Sequence, residues 1–239
     1  MIVLRSLLFV VFQFALTPPY AFLSVLTAPL KPFTRFYVIS GWSRILLWVA
    51  RPLLGIDFQV EGREHLPQTP SVILSKHQSA WETLAFQQIF PPQSQVLKRE
   101  LLWIPFFGWG LALMSPIAID RAKGRAALKQ IARIGTQRLQ QGFWVVIYPE
   151  GTRVRVGQQR KYQPGGAWLA AQANVPIVPV AHNAGLLWPK QTFLKRPGTI
   201  TVRIGPTIFP EGRSAAELTA LAEQWIEAQQ AELCPCSNN

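Results

Sequence analysis

The sequence predicts an α/β fold: a single domain with a mixed, largely parallel sheet flanked by helices, preceded by an apolar helical hairpin. From residue 57 onward, short apolar runs alternate with longer stretches of helical periodicity, as expected for strands and helices that pack in layers. Hydrophobic residues make up 49% of the 239 residues and charged residues only 15%, so the chain can bury a core. This composition excludes an intrinsically disordered polyelectrolyte.

The N-terminal region predicts membrane binding. Residues 7–30 carry no charged side chain, and about 20 helical residues are enough to cross a bilayer core. Pro18 and Pro19 predict a break in this stretch, and a second apolar stretch at residues 38–56 contains arginines with tryptophans close by. Arginines snorkel and tryptophans prefer the interface, which favours a helical hairpin lying in one leaflet. A secretory signal peptide and a pair of buried core helices are the alternatives.

Short apolar runs mark the strands, and periodic stretches mark the helices. The candidate strands lie at residues 58–61, 71–75, 95–97, 116–119, 143–148, 177–180 and 199–204. The candidate helices lie at residues 79–90, 121–141, 166–173 and 214–233. The chain therefore divides into a membrane-associated helical region at residues 1–56, an α/β domain at residues 57–233 and a disordered tail at residues 234–239.

A strong positive charge predicts an anionic partner. Lys and Arg outnumber Asp and Glu by 24 to 12, and residues 120–161 hold ten basic side chains against only Asp120 and Glu150. A phosphorylated substrate, an acidic membrane surface or nucleic acid would each fit, and a solvated helix face with its loop is the alternative. Nucleic acid is disfavoured because the aromatic side chains of this stretch lie in one predicted strand and do not interleave with the basic residues.

The sequence offers few residues for a disulfide framework or a metal site. Cys234 and Cys236 are close together near the C-terminus, and the histidines have no ligand spacing that links them to one another or to the cysteines. We therefore expect no metal ion and no cofactor, and the cysteine usage indicates a reducing compartment.

Polar residues directly follow three of the predicted strands. They are residues 76–78 after the strand at 71–75, residues 120–121 after the strand at 116–119, and residues 149–153 after the strand at 143–148. Ligands of open α/β sheets bind at the carboxyl ends of the strands. We therefore expect these polar residues to meet at one site.

His77 and Glu82 are the candidate catalytic pair. Ser79 and Glu82 have the spacing of a capping box, which would make Ser79 the N-cap of the next helix and turn the Glu82 carboxylate back towards its start. His77 could then contact that carboxylate and act as a general base on a hydroxyl that attacks an acyl carbon. An ordinary loop histidine beside a capping glutamate is the alternative. Neither Ser75 nor Ser79 lies in a nucleophile elbow, which favours direct transfer to a substrate hydroxyl.

These residues resemble the motifs of the glycerolipid acyltransferase family, and most closely those of its bacterial 1-acyl-sn-glycerol-3-phosphate acyltransferases. The first motif is a histidine, four residues and an aspartate, and His77 with Glu82 matches it except that glutamate replaces the aspartate. The second motif is matched between Lys98 and Arg121. The third, Pro-Glu-Gly-Thr-Arg, is matched at residues 149–153, and the fourth, an apolar strand with prolines, is matched at residues 175–180.

The resemblance implies transfer of a fatty acyl group from acyl-coenzyme A or acyl carrier protein to the free hydroxyl of 1-acyl-sn-glycerol-3-phosphate, which gives phosphatidic acid. His77 would be the base, and Glu82 would fix its tautomer and stabilise the imidazolium. The substrate-binding residues implied are Lys98, Arg121, Glu150, Gly151, Thr152, Arg153 and Lys161. Of these, the arginines and lysines would hold the acceptor phosphate, Glu150 would bond acceptor hydroxyls, and Gly151 would let the backbone approach the ligand.

The resemblance also implies an enzyme of the inner membrane of a bacterium, with its active site facing the cytoplasm and in contact with membrane lipids. Glu82 in place of aspartate leaves another lysolipid, such as a lyso-ornithine lipid, as an alternative acceptor. A non-enzymatic basic protein that binds anionic lipid is the alternative from another class, although it leaves His77 and Glu82 unexplained. A mutual surface ion pair of Glu150 and Arg153 is the non-functional interpretation of the third motif.

Overall fold

A computed structural model describes residues 1–190 and 192–235, and these contain a seven-stranded sheet. The strands are β1 (Ile56–Glu61), β2 (Val72–Ser75), β3 (Gln93–Lys98), β4 (Ile117–Ile119), β5 (Trp144–Ile147), β6 (Ile177–His182) and β7 (Gly198–Ile204). Their order is β1-β7-β6-β2-β5-β3-β4, and every neighbouring pair is parallel except β6 with β7. The mixed, largely parallel sheet predicted from the sequence is confirmed.

Helices cover both faces of this sheet. They are α1 (Ile2–Leu26), α2 (Pro32–Ile39), α3 (Gly41–Leu54), α4 (Trp81–Ile89), α5 (Phe107–Leu113), α6 (Arg125–Gln140), α7 (Gly165–Ala173), α8 (Ala184–Leu187) and α9 (Ala215–Leu233). The predicted helices of the domain correspond to α4, α6, α7 and α9. Sequence analysis missed α5 and α8 because helices of seven and four residues are too short to show a period.

The core lies on both faces of the sheet, and β2 is buried along its whole length. Its side chains alternate between the faces. Ile73 packs with α3 and α4, whereas Val72 and Leu74 pack with α6, α7 and α9. The carboxyl end of β2 is therefore held in the middle of the molecule, which is where the candidate catalytic loop begins.

The helix α1 is continuous, so the break predicted at Pro18 and Pro19 is wrong. Proline removes a backbone donor and leaves the carbonyl one turn earlier without its helical hydrogen bond. The helix α1 packs against α3 and α5. Packing against neighbouring helices thus outweighs the local cost of the prolines.

Both halves of α1 pack on the rest of the protein. Phe9 is fully buried with its ring edge-to-face with Trp188 at 5.2 Å, and Ser6 Oγ accepts the Lys195 backbone N–H at 2.9 Å. Towards the other end, the Phe22 ring lies 5.9 Å from that of Trp109. These contacts disfavour the signal-peptide interpretation, because removal of α1 would open the core.

The outer side of α1 is apolar and exposed, with Leu4, Val11 and Phe14 among its exposed side chains. With 25 residues and a mean hydropathy of 1.7, α1 is the one helix in residues 1–190 and 192–235 that is long and apolar enough to cross a membrane. An exposed apolar helix of this size indicates membrane association.

The end of the chain differs in part from the sequence prediction. Cys234 is buried, and its N–H donates to the Gln230 carbonyl at 2.9 Å, so it belongs to the end of α9 rather than to a disordered tail. Residues 236–239, which include Cys236, lie outside the described residues. At the other boundary, β1 begins at Ile56, inside the predicted N-terminal region.

Candidate active site

The loop after β2 carries His77. Its backbone N–H donates to Glu150 Oε2 at 2.8 Å, and its carbonyl accepts the Val154 N–H at 2.7 Å. Both partners come from the loop after β5, which is the neighbour of β2 in the sheet. The expected meeting of polar residues at the carboxyl ends of the strands is therefore present, and it fixes the main chain of His77 on two sides.

The half-buried His77 and the fully buried Glu82 form a hydrogen-bonded pair, with 2.8 Å between His77 Nδ1 and Glu82 Oε1. The same oxygen accepts the backbone N–H groups of Gln78 at 3.0 Å and Ser79 at 2.8 Å. Because an ionised carboxylate can only accept hydrogen bonds, His77 Nδ1 carries the hydrogen, which leaves the lone pair on Nε2. The contact predicted from the sequence is present.

Burial and hydrogen bonding set the protonation of this pair. Burial lowers the pKa of His77 below 6.5 against the opposing effect of Glu82, so the imidazole is neutral at neutral pH. Burial alone would raise the pKa of Glu82, but nearby His182 and the hydrogen bonds from His77 and Ser79 outweigh it and hold the pKa below its ordinary value. A neutral imidazole bonded to an ionised carboxylate can accept a proton at Nε2.

Ser79 is not the N-cap of α4, so the predicted capping box is wrong. The helix begins at Trp81 and its N-cap is Ala80. Ser79 Oγ accepts the Trp81 N–H at 3.1 Å and donates to the Trp188 carbonyl. Glu82 does reach back to the Ser79 N–H as predicted. One carboxylate oxygen thus holds the loop before α4 and the imidazole together.

Tyr148 is a site residue that sequence analysis missed. Its ring stacks on the His77 imidazole, with 4.0 Å between centroids and 17° between planes. Burial keeps the pKa of the Tyr148 phenol well above its ordinary value, so the ring stays neutral. The signal that could have found it is its place directly after β5, since β5 and β2 are neighbours and their following residues must meet.

The Glu150 side chain contacts two groups inside the protein. Its side chain is fully buried, with Oε1 at 2.8 Å from Lys76 Nζ and Oε2 at 2.8 Å from the His77 backbone nitrogen. Each oxygen thus has one partner in the protein, and the prediction that Glu150 bonds acceptor hydroxyls stays a prediction. Its ion pair is with Lys76, not with Arg153. This ion pair forms because the Lys76 side chain turns inward at the end of β2. Among the described residues, Lys76 is the only cation within salt-bridge distance of the Glu150 carboxylate.

Arg153 lies beside His77. It precedes Val154, whose N–H donates to the His77 carbonyl, and after burial and the opposing effect of Glu82 its positive charge adds to the lowering of the His77 pKa. Arg153 Nε is buried and has no hydrogen-bond partner in residues 1–190 and 192–235. A buried unpaired donor on a cationic side chain is available to an anionic ligand. Thr152 is half-buried next to it.

Gly151 and Arg121 join two of the loops. Gly151 has φ +70°, a left-handed conformation that favours glycine, and its carbonyl accepts a hydrogen bond from the Arg121 guanidinium. A cavity of 420 Å³ lies next to them. Its lining includes Val96, Ile119, Arg121, Leu128, Ile131, Tyr148, Gly151 and Arg160. Arg160 is a further basic residue of this cavity, whereas Lys98 and Lys161 are exposed and do not line it.

Residues 1–190 and 192–235 contain no group of three or more His, Cys, Asp and Glu side chains placed to hold a metal ion. His182 is fully buried and bonded on both sides, with Nδ1 accepting the Ala184 N–H at 3.3 Å and Nε2 lying 3.0 Å from the Lys76 carbonyl. The expectation of no metal and no cofactor stays a prediction.

The chain is similar to known acyltransferases. Residues 57–183 match the sequence model of a family described as Acyltransferase. The chain is 48% identical over 237 residues to 1-acyl-sn-glycerol-3-phosphate acyltransferase of Pseudomonas aeruginosa, covering 97% of this chain and 92% of that protein. It is 34% identical to 1-acyl-sn-glycerol-3-phosphate acyltransferase alpha of Mus musculus, over 75% of this chain and 65% of the mouse protein. The crystal structure of the 1-acyl-sn-glycerophosphate acyltransferase of Thermotoga maritima matches with a TM-score of 0.79 at 21% identity, covers 100% of both chains and shows the same fold.

Proposed function

The chain belongs to the acyltransferase family, and on that premise we propose that it transfers a fatty acyl group to the free hydroxyl of 1-acyl-sn-glycerol-3-phosphate, giving phosphatidic acid. The observation that carries the proposal is the pair of His77 and Glu82, in which a neutral imidazole is bonded through Nδ1 to a buried ionised carboxylate. A non-enzymatic lipid-binding protein would have no use for this arrangement. The acyl donor in the proposal is acyl-coenzyme A or acyl carrier protein, and the reaction needs no further cofactor.

The proposed mechanism uses His77 as base and then as acid. His77 Nε2 takes the proton of the acceptor hydroxyl as its oxygen attacks the thioester carbonyl carbon. Glu82 stabilises the imidazolium that forms, and the stacked Tyr148 ring keeps the imidazole plane fixed. The tetrahedral intermediate then expels the thiolate, which receives the proton from His77. An ester bond has formed and the thioester bond has broken, and the histidine has returned to its neutral state.

Arginines next to His77 would hold the acceptor phosphate. Arg153 lies beside the imidazole with a buried unpaired Nε, and Arg121 and Arg160 line the adjoining cavity. A planar guanidinium bonds two phosphate oxygens at once, which suits a phosphomonoester. Thr152 and Gly151, in the same loop, would contribute polar contacts to the acceptor. Lys98 and Lys161 remain proposed as outer basic residues that attract the anion.

Replacement of Arg153 by lysine is expected to raise the KM for the acceptor by more than about tenfold, equivalent to roughly 1.4 kcal/mol. Lysine keeps the positive charge but loses the fork that pairs with two oxygens. The KM for the acyl donor is expected to change little. Steady-state kinetics with each substrate varied in turn gives both values.

The matched control is Arg133→Lys on the exposed side of α6. Arg133 does not line the cavity, and charges more than about 10 Å apart are largely screened at 0.1 M salt, so the control should leave the acceptor KM unchanged. Equal and small effects of Arg153→Lys and Arg133→Lys would show that the basic residues act only as a diffuse field, and the phosphate site would have to be abandoned.

The exposed apolar side of α1 supports a site close to a lipid surface. We propose that the membrane is the inner membrane of a bacterium and that the site faces the cytoplasm, where acyl-coenzyme A and acyl carrier protein are found. Both ends of α1 pack on the α/β domain, through Phe9 and Phe22, so the helix lies along the domain. A helix that packs along the domain in this way supports binding within one leaflet rather than a helix that crosses the whole bilayer.

Substitution of Leu4, Val11 and Phe14 by serine is expected to lower the membrane-bound fraction at least about tenfold, because each exposed apolar side chain adds about 1.5 kcal/mol or more to transfer from water. The readout is sedimentation with lipid vesicles. Serine substitution of Phe209 and Leu221, also exposed apolar residues but on the α/β domain, is the control and should leave vesicle binding unchanged. Equal binding of the two variants would contradict the assignment of α1 as the membrane contact.

The direct test of the function is incubation of the detergent-solubilised protein with labelled acyl donor and a panel of lysolipids. Formation of labelled phosphatidate from 1-acyl-sn-glycerol-3-phosphate is the expected result. Product formation only from another acceptor, such as a lyso-ornithine lipid, would support the proposed acyl transfer but show that the proposed acceptor is wrong. Separate reactions with acyl-coenzyme A and with acyl carrier protein identify the donor.

A further inference from the structure

The C-terminal helix α9 contacts the residues on both sides of His77. Glu227 and Gln230 are three residues apart on α9, so they lie on one face of the helix. Glu227 Oε1 lies 2.7 Å from Lys76 Nζ, and Gln230 Oε1 accepts from Gln78 Nε2 at 2.8 Å. One helix face therefore holds the side chain before His77 and the side chain after it.

Lys76 connects α9 to the main chain of His77. Its ammonium is buried and lies between two carboxylates, at 2.7 Å from Glu227 and 2.8 Å from Glu150. Glu150 in turn accepts the His77 N–H at 2.8 Å. Tyr162 donates to the same Glu227 oxygen at 2.9 Å and orients it. Loss of one partner of a buried ion pair leaves the other charge uncompensated, so this chain of contacts is held together.

Gln230 fixes the other side of the loop. Its amide is buried and uses both ends, since Oε1 accepts from Gln78 and Nε2 donates to the His182 carbonyl at 2.9 Å. An amide that accepts at one end and donates at the other has one favourable orientation. A shift of the Gln78 side chain would therefore break a buried hydrogen bond.

We infer that α9 positions the general base: Glu227, acting through Lys76 and Glu150, and Gln230, acting through Gln78, hold His77 in the orientation of its contact with Glu82. The inference rests on the proposed function, because it assigns to His77 the role of base. Glu227 and Gln230 are positioning residues that act through the loop. They lie beyond residues 57–183, the part of the chain that matches the family.

The protonation of Glu150 shows whether Lys76 and Glu227 act on the residues around His77 as charges. The pKa of Glu150 is raised to about 7, because burial and the nearby Glu227 raise it by more than Lys76 and the His77 N–H lower it. The groups that face Glu150 are Lys76 from the end of β2, Glu227 from α9 and the phenol of Tyr162 before α7, whose pKa burial raises so that it stays neutral. Loss of the Lys76 charge must raise the pKa of Glu150, and loss of the Glu227 charge must lower it. A mere loss of packing would not give opposite shifts.

The test is an NMR titration of the full chain in detergent, with nitrogen-15 in its three histidines. The His77 backbone N–H donates to Glu150, so its signal follows the protonation of that carboxylate, with a midpoint of about 7 expected in the unmodified protein. We expect a higher midpoint in Lys76→Met and a lower one in Glu227→Gln. Gln224→Ala, on the exposed side of α9, is the matched control for Gln230→Ala and should leave the His77 signals unchanged.

Kinetics on the same variants measures the consequence for transfer. Glu227→Gln and Gln230→Ala are expected to lower kcat about tenfold to a hundredfold, because small displacements of a catalytic group have effects of this size. The KM values should stay close to those of the unmodified protein, whereas the melting temperature should fall, because each variant leaves a buried group without its partner, so kcat is compared well below the unfolding transition. Glu227→Asp restores the charge and should recover part of kcat.

The inference is wrong if Glu227→Gln and Gln230→Ala leave the His77 signals and kcat as Gln224→Ala does. It is also wrong if Lys76→Met and Glu227→Gln move the midpoint in the same direction. If the unmodified protein does not acylate 1-acyl-sn-glycerol-3-phosphate while the variants displace the His77 signals as expected, the proposed function fails and the positioning of His77 by α9 stands.

Discussion

Replacement of His77 by alanine is expected to lower kcat for acyl transfer by a factor of about 10² to 10⁴, which is the usual contribution of a general base. The loss follows from the removal of Nε2, the nitrogen that accepts the hydroxyl proton while Nδ1 is bonded to Glu82. Folding should change little, because the side chain lies in a loop and leaves Tyr148 and Glu82 in place. The measurements are the rate of phosphatidate formation at saturating substrate and the melting temperature.

The matched control is His65→Ala. His65 is also bonded through Nδ1, at 2.8 Å from the Ile204 carbonyl, but it lies in the turn that follows β1, and β7 and β6 separate β1 from β2 in the sheet. This variant should keep its kcat, although, like His77→Ala, it loses an imidazole and the hydrogen bond of its Nδ1. A folded His77→Ala protein with near-normal turnover would show that the mechanism does not use this imidazole.

The parts of the site that depend on near neighbours in the chain were predictable. His77 and Glu82 are five residues apart, and a loop histidine can reach the first turn of the next helix without knowledge of the rest of the fold. The strand ends were equally predictable, since short apolar runs define them and parallel strands end at one edge. The sheet and the candidate catalytic pair therefore follow from local sequence patterns.

The parts that depend on distant residues were not predictable. The ion pair of Glu150 forms because Lys76 turns inward, and Lys76 is held by Glu227, which lies 151 residues away. Nothing in the local sequence distinguishes this lysine from an exposed one. Pro18 and Pro19 show the same limitation, since their local signal predicts a break and the neighbouring helices keep α1 continuous. Tertiary contacts override local preference in both cases.

The second large effect is expected at Glu82, where substitution by glutamine should lower kcat about a hundredfold or more while substitution by aspartate keeps a measurable fraction. Glu82 Oε1 accepts three hydrogens, from His77 Nδ1 and from the backbone N–H groups of Gln78 and Ser79. Glutamine can fill the space but lacks the charge that stabilises the imidazolium, whereas aspartate keeps the charge and is short by one methylene. Glu217 supplies the control, because it is exposed and its hydrogen bonds are those of a capping box with Ser214 at the start of α9. Glu217→Gln should lower the melting temperature slightly and leave kcat unchanged. If Glu82→Gln behaves in the same way as Glu217→Gln, then Glu82 only holds the loop before α4 and the imidazole needs no carboxylate partner.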